Sequence, residues 1–437
     1  MGTNNKKKTA TAVNGEGRKR NKAIIFPPEL LLEEMVWEIL IRLPVKSLTR
    51  FKLVSKACHA IISAPLLVRA HLHCSKHTQC RVPSSFLIAP RVFLQSDVPY
   101  TPISTDIRFY HWSLPLQQQL QRPSCRRRTR STASRESATL LYQRHFPPGE
   151  FTLGAPMAHC DSLVLLPSDT NVYVFNPAIK DRRNVIQYPT CLPVGLGLDP
   201  STGKYKVARS FYRHCDDYGH VTMGMEVFTI SSGRDQDDGW KETSEDPPAL
   251  IAYQQTTVQC KGYLFYFIDK VNHPCLPQAL LHFSLQHETF GFTPLLDTVY
   301  PQVKDKDIIL HELDGELCAT FFSECLQRVL VWMTRDFMDP RRSFLYYKIN
   351  VSSHCLPMAY TTRVLLAYDH LSCRYYLKAH GAFKEDVIFD MDDLKFLGPN
   401  GEDTLGHAWQ KKKWWFDLVS YTERLVPVTP PKQRENL

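Results

Sequence analysis

No C-x-x-C pair occurs among the 13 cysteines of this 437-residue chain, which argues against a RING-type zinc module. The count is odd and the spacing irregular, so free thiols in a reducing compartment are expected rather than a disulfide framework. No run of about 18 apolar residues exists to span a membrane. The opening Asn4-Asn5-Lys6-Lys7-Lys8 has no apolar segment behind it, so no secretory leader is expected and the cytoplasm or nucleus is. G-x-S-x-G, P-loop and dinucleotide fingerprints are missing too. Neither an enzyme nor a cofactor is expected.

The folded parts also have little excess positive charge. The chain carries +9. Residues 1–22 hold seven Lys/Arg and one acid, Glu16, and residues 122–135 hold six arginines and no acid. These two runs exceed the whole net charge, so the remainder is slightly acidic. Nucleic-acid binding by a basic folded face loses its support. Residues 1–24 read as a disordered basic tail, either a solvated tail or a loose bipartite nuclear import signal. Residues 116–140, with Gln117–Gln119 before the Arg/Ser/Thr run, read as a disordered loop.

What is there begins at residue 28. Leu32, Met35, Val36, Ile39, Leu40 and Leu43 recur at three- and four-residue steps, one face of an amphipathic helix. Pro44 stops that helix and suits the first turn of the next. Leu48, Phe51 and Val54 supply a second stripe. Ser55 is placed to cap a third short helix bearing Cys58, Ile61 and Ile62. Three such helices cannot bury all these faces against each other. The surplus belongs to a docking site or a larger core.

The run Glu38-Ile39-Leu40-x-Arg42-Leu43-Pro44-x-Lys46-Ser47-Leu48-x-Arg50-Phe51-x-x-Val54-Ser55-Lys56 resembles the F-box, here over 28–72. The resemblance implies docking to a Skp-family adaptor and, through it, to the cullin and RING subunits of a ubiquitin ligase. Carried onto matching positions, the adaptor contacts are Met35, Val36, Ile39, Leu40, Leu43, Pro44, Val45, Leu48, Phe51 and Val54, some of them internal packing. Two positions depart from the family pattern. Glu33 replaces the usual proline, a mild change at a helix N-terminus. Cys58 replaces the usual tryptophan, which predicts weaker adaptor affinity unless Trp37 or Leu66 repacks.

From about residue 84 the chain reads as short strands. Phe86–Ala89, Asn171–Phe175, Lys204–Ala208, Met225–Ile230, Tyr263–Ile268, Leu280–Leu285, Glu316–Phe322, Val329–Met333, Phe344–Ile349 and Arg374–Lys378 are the clearest. Lys261-Gly262 and Asp314-Gly315 are hairpin signals. The fold class is therefore α+β: a small helical unit followed by a large all-β domain at 84–420, with a C-terminal tail at 421–437.

Several segments then resemble, in order, landmarks of the plant F-box-associated domain. They include Tyr173-Val174-Phe175-Asn176-Pro177, Gly195–Pro200, Lys204–Val207, Met225–Phe228, Lys261–Phe265, Leu313–Leu317 and Val331–Met333. The resemblance covers about 150–400 and implies a kelch-like β-propeller, for which the strand count permits about six blades; a β-sandwich is the alternative. Trp409, Trp414, Trp415 and Phe416 are placed to close the last blade or to pack on its neighbour. The implied role is recognition of a protein target by the β-domain.

Chemistry-bearing clusters are few. His71, His73, Cys74, His77 and Cys80 crowd together, but their spacing fits no zinc module, and a polar surface turn is expected with no metal. His159-Cys160-Asp161 is a poor catalytic set, because adjacent residues on a strand point to opposite faces. Tyr212 to His220 is the candidate recognition loop, with Tyr212, His214, Tyr218 and His220 as its target-binding residues.

Overall fold

The computed structural model describes residues 33–79 and most of 85–428. Residues 1–32, 80–84, 93–105, 114–136, 405–413, 429–437 and several shorter connections lie outside the description, and with them the basic tail, Trp409, Tyr218 and His220. The expected loop at 116–140 also falls outside it up to residue 136, and its last residues begin a strand instead.

Four helices open the described chain: α1 (Glu33–Leu40), α2 (Val45–Phe51), α3 (Lys56–Ser63) and α4 (Pro65–Gln79). The expected stop at Pro44 and the Ser55 cap are both present, the Ser55 hydroxyl accepting from Cys58 N at 3.0 Å. The sequence reading missed α4 because its His/Cys-rich end looked like a surface turn. Pro65 opens it as a first-turn proline. Leu67, His71 and Leu72 make its buried face.

The strands follow. First come β1 (Ser85–Val92), β2 (Asp106–Ser113) and β3 (Ser137–His145). Next are β4 (Ala158–Cys160), β5 (Leu163–Pro167), β6 (Val172–Asn176) and β7 (Asp181–Ile186), with a 3-10 turn at Pro177–Ile179 between the last two. A third group is β8 (Val194–Leu198), β9 (Tyr205–Cys215), β10 (Val221–Ile230) and β11 (Trp240–Glu242). A fourth is β12 (Val258–Cys260), β13 (Tyr263–Phe267), β14 (Ala279–Ser284) and β15 (Phe290–Pro294). Then come β16 (Ile309–Leu313), β17 (Glu316–Ser323), β18 (Arg328–Thr334) and β19 (Ser343–Ile349). Last are β20 (Cys355–Tyr360), β21 (Val364–Asp369), β22 (Arg374–Ala379), β23 (Asp386–Asp390), β24 (Lys395–Leu397) and β25 (Trp414–Ser420).

Each consecutive group of four from β4 to β23 is an antiparallel sheet, and the remaining strands form one sheet ordered β24-β3-β2-β1-β25. The first strand of each four-stranded sheet lies beside the first strand of the next, from β4 through β20, and β20 lies beside β25. Asp417 of β25 is in turn close enough to His159 of β4 to act on it electrostatically. The sheets thus form a closed ring, a β-propeller rather than a sandwich. Strand β25 closes it by pairing with β1, from Phe86 opposite Ser420 to Val92 opposite Trp414. Trp414, Trp415 and Phe416 therefore sit in the closing strand.

Inner strands of the described sheets are covered on both faces by neighbouring sheets and need no polar side. All of Val172–Asn176 and all of Ala279–Ser284 are buried, as expected for doubly covered strands. One apolar cluster joins β4–β7 to β8–β11 through Leu163, Val174, Leu196 and Val207. Another joins β8–β11 to β12–β15 through Met225, Leu264 and Phe283. Strand β8 can approach that next sheet because it alternates glycine: a Cβ on Gly195 would lie 2.6 Å from Leu264 Cδ1.

The topology defines two ends. The turns from first to second strand and from third to fourth lie at one end of every four-stranded sheet, and the others lie at the opposite end. Residue 85 starts where residue 420 finishes, and α2 packs on the 3-10 turn Pro177–Ile179. The helices therefore sit at the first end. The β9–β10 hairpin projects from the opposite one.

Ion pairs knit the sheets together at the helical end. Lys206 Nζ reaches Asp199 Oδ2 at 3.2 Å, Glu288 Oε1 at 2.9 Å and the Leu285 carbonyl at 2.6 Å. Burial pushes the Asp199 carboxyl up. The hydrogen bonds from the Ser201 hydroxyl and amide, from Lys206 and from Thr202 outweigh it and hold the group at about 2, against an ordinary 3.8. A carboxyl lowered in the folded state stabilises fully above the unfolded value and loses that contribution as pH falls through the folded one. Urea unfolding between about pH 5 and pH 2 is expected to show a loss of about 1–2 kcal/mol that Asp199→Asn lacks. Equal slopes for the two proteins would rule this out.

Candidate docking face of the helical segment

The helices share a core made of Leu40, Val45, Leu48, Ile62 and Leu67, and one distant residue, Leu425, completes it. Val36, Trp37, Ile41, Leu43, Cys58 and Val68 pack partly against this cluster, as do Ala178 and Ile179 of the 3-10 turn. His71, buried at the same place, shares a hydrogen bond between Nε2 and the Leu43 carbonyl at 2.9 Å. It is a packing residue of α4 rather than part of a surface turn. Among the described residues no group of three or more His, Cys, Asp or Glu is arranged to hold a metal.

The ten residues assigned to the adaptor divide three ways. Leu40, Val45 and Leu48 point inward and hold the helices together; as contact residues they are corrected to core. Val36 and Leu43 are half-buried. Met35, Ile39, Pro44, Phe51 and Val54 are exposed. Met35 and Ile39 are one turn apart on α1 and each is 52% exposed. Leu53, Ile61 and Leu66, which the sequence reading did not assign as contacts, are exposed as well. Seven of the ten exposed large apolar side chains among the described residues thus lie between residues 35 and 66. An apolar concentration of that kind marks a contact surface. Arg42, Lys46, Arg50 and Lys56 of the same segment are exposed too.

Helix α2 begins after Pro44 with no side-chain cap of its own. Its first amide, Val45 N–H, is one of the orphan donors of a helix start. It donates to Glu423 Oε2 at 3.1 Å, from a residue 378 positions away. The expected tail from 421 is therefore corrected: Tyr421, Arg424, Leu425 and Val428 are buried parts of the fold.

At the other end, Tyr212 and His214 are exposed on strand β9, not in a loop. They pair with Met223 and Thr222 of β10, with a register shift between those two. The polar and aromatic side chains imitate a loop, but the backbone ladder keeps the hairpin extended. Arg213 lies over the Phe211 ring at 5.3 Å and pairs with Glu242 and Asp246 at 2.9 Å each.

His159 and Cys160 lie on the inner strand β4. Burial lowers His159 to about 4, with Asp161 and Asp417 pulling weakly the other way. The Cys160 thiol points to Gln259 Oε1 at 3.7 Å. Cys58, Cys74, Cys160, Cys215, Cys260, Cys275 and Cys318 are free thiols.

Comparison with known families places both halves. The model of the F-box domain matches residues 28–69, and the model of the F-box associated beta propeller domain matches residues 123–370. An F-box/kelch-repeat protein of Arabidopsis thaliana is 24% identical over 333 residues, which is 68% of this chain and 68% of that protein. An F-box protein of the same plant is 28% identical over 281 residues, covering 61% of this chain and 64% of its own length. A third, also from Arabidopsis thaliana, is 51% identical over 49 residues, or 11% of this chain and 12% of that protein. The exposed apolar helices and the closed ring of sheets thus have the order and extent of one family: this chain is a plant F-box protein with a C-terminal F-box-associated β-propeller domain.

Proposed function

We propose that this chain is the substrate receptor of a Skp–cullin–F-box ubiquitin ligase. In this reading Met35, Ile39, Pro44, Phe51, Val54 and their exposed neighbours Leu53, Ile61 and Leu66 enter a groove of the Skp-family adaptor. The propeller holds a target protein at the end away from the helices, where the β9–β10 hairpin projects. The chain performs no bond chemistry itself. It raises the effective concentration of target lysines at the charged conjugating enzyme that cullin and RING subunits recruit. The observation that carries the reading is the apolar surface left on the helices after the propeller has covered their other side. Co-purification of the full chain with adaptor and cullin tests it. Adaptor without cullin would favour a binding module working outside the ligase.

Cys58 bears on the strength of that docking. It is half-buried against the cluster that also holds Trp37, whereas Leu66 is exposed and fills nothing. Because Trp37 packs on the same cluster, Cys58→Trp is expected to tighten adaptor binding only about threefold. A titration with purified adaptor measures this. Identical affinities would remove Cys58 as the weak point of the interface.

A further inference from the structure

The segment Tyr421–Val428 has no regular secondary structure, yet it is tied at nearly every residue. Tyr421 N–H donates to the Ser85 carbonyl at 3.0 Å. Glu423 accepts from the start of α2, and Leu425 completes the helical core with 1% exposure. Between and beyond them, Arg424 pairs with Asp161 of the β4–β5 turn at 2.9 Å. Asn176 Nδ2 donates to the carbonyls of Arg424 and Val426 at 3.0 and 2.7 Å. Val428 N–H donates to Asp181 Oδ2 at 2.9 Å, and its side chain is fully buried in the cluster shared by β4–β7 and β8–β11.

The alternation is that of an extended chain, whose side chains point in opposite directions at successive residues. Glu423 and Leu425 face the helices. Arg424, Val426 and Val428 face the propeller. A single strap therefore carries one row of contacts to each domain. Domains joined by one linker move relative to each other by default. Here the covalent passage through residues 80–84 is joined by the packing of α2 on Pro177–Ile179 and by the strap's attachment at the start of α2.

We propose that Glu423 and Leu425 are positioning residues: the strap locks the helical domain in one orientation on the propeller, so that the hairpin end stands at a fixed offset from the adaptor. The second clause rests on the ligase reading; the first does not. Fixed geometry matters because proximity raises reaction rate only where the linked partners can reach each other.

The test is single-molecule energy transfer in the full chain. Fluorophores are placed through noncanonical amino acids at Lys56 on α3 and Val271 on the propeller, both exposed. The wild-type chain is expected to give one narrow distribution. The double variant Glu423→Ala/Leu425→Ala is expected to broaden it at least about twofold, while propeller unfolding on heating is unchanged and adaptor capture shows the helices still folded. Leu425→Met, which conserves volume, should restore the narrow distribution. Glu423→Ala alone removes the acceptor at Val45 and leaves Leu425 in place, so it broadens the distribution even where the double variant does not fold. A broad wild-type distribution, or a single variant as narrow as the wild type, overturns the strap. A narrow wild-type distribution in a chain that captures no adaptor leaves the strap standing and removes the ligase reading.

Discussion

Ile39→Asp is expected to weaken adaptor binding at least about 100-fold and to leave the unfolding of the free chain nearly unchanged. Ile39 is half-exposed beside Met35 and takes no part in the buried cluster beneath it. A charge there costs the free protein little, because water still solvates it and an acid in the last turn of a helix loses only about 0.3–1 kcal/mol against the helix dipole. In the complex the same carboxylate would be desolvated against an apolar groove, and it would shift its pKa or prevent docking. Leu48→Ala gives the contrasting result. Leu48 is fully buried among Val45, Ile62 and Leu425, and its truncation costs about 2–5 kcal/mol of stability. Adaptor binding then falls together with the melting of the helices. Isothermal titration beside thermal unfolding separates the two variants. Wild-type affinity for Ile39→Asp would remove the docking face as described.

The helical stripe was legible because three- and four-residue steps over Met35 to Leu43 have one structural solution. Which side of the stripe faces a partner was not legible. Leu40 and Ile39 are adjacent and equally apolar, and only the packing of the other helices and of Leu425, almost four hundred residues later, around one of them makes it core. Strands such as Tyr263–Phe267 and Val172–Asn176 were legible because sheets covered on both faces require unbroken apolar runs. Strands β4 and β12, with three residues each, are too short to show any period. Strand β2 was missed because Asp106 and Arg108 interrupt it. They pair with each other at 3.0 Å across one intervening residue, on one side of the strand. The strap was the largest loss. Thr422, Glu423 and Arg424 give it the composition of a solvated tail, and every partner that contradicts this lies far away in the chain.

Arg424→Met is expected to destabilise the propeller by about 3–5 kcal/mol, and Asp161→Asn made in the same chain is expected to return at least about half of that. The Arg424 side chain is 3% exposed and that of Asp161 is 9% exposed. The guanidinium also lies over the Tyr205 ring at 4.6 Å, and the Tyr205 hydroxyl donates to the same carboxylate oxygen at 2.6 Å. Burial pulls the Arg424 pKa down, and Asp161 opposes this. Arginine nonetheless stays charged at any pH the fold survives. Removing the cation alone leaves a buried carboxylate without its guanidinium, which is the costly half of the exchange. Removing both charges leaves a methionine stem on the ring and a neutral amide that still accepts from Tyr205. Asparagine also suits position 161, whose φ of 54° lies in the left-handed region. The buried Nε of Arg424 makes no hydrogen bond, so methionine removes an unsatisfied donor as well. A urea-denaturation cycle over wild type, both single variants and the double variant gives the coupling directly. Strictly additive losses would mean that the two charges stabilise the strap independently and that the pair is not its anchor.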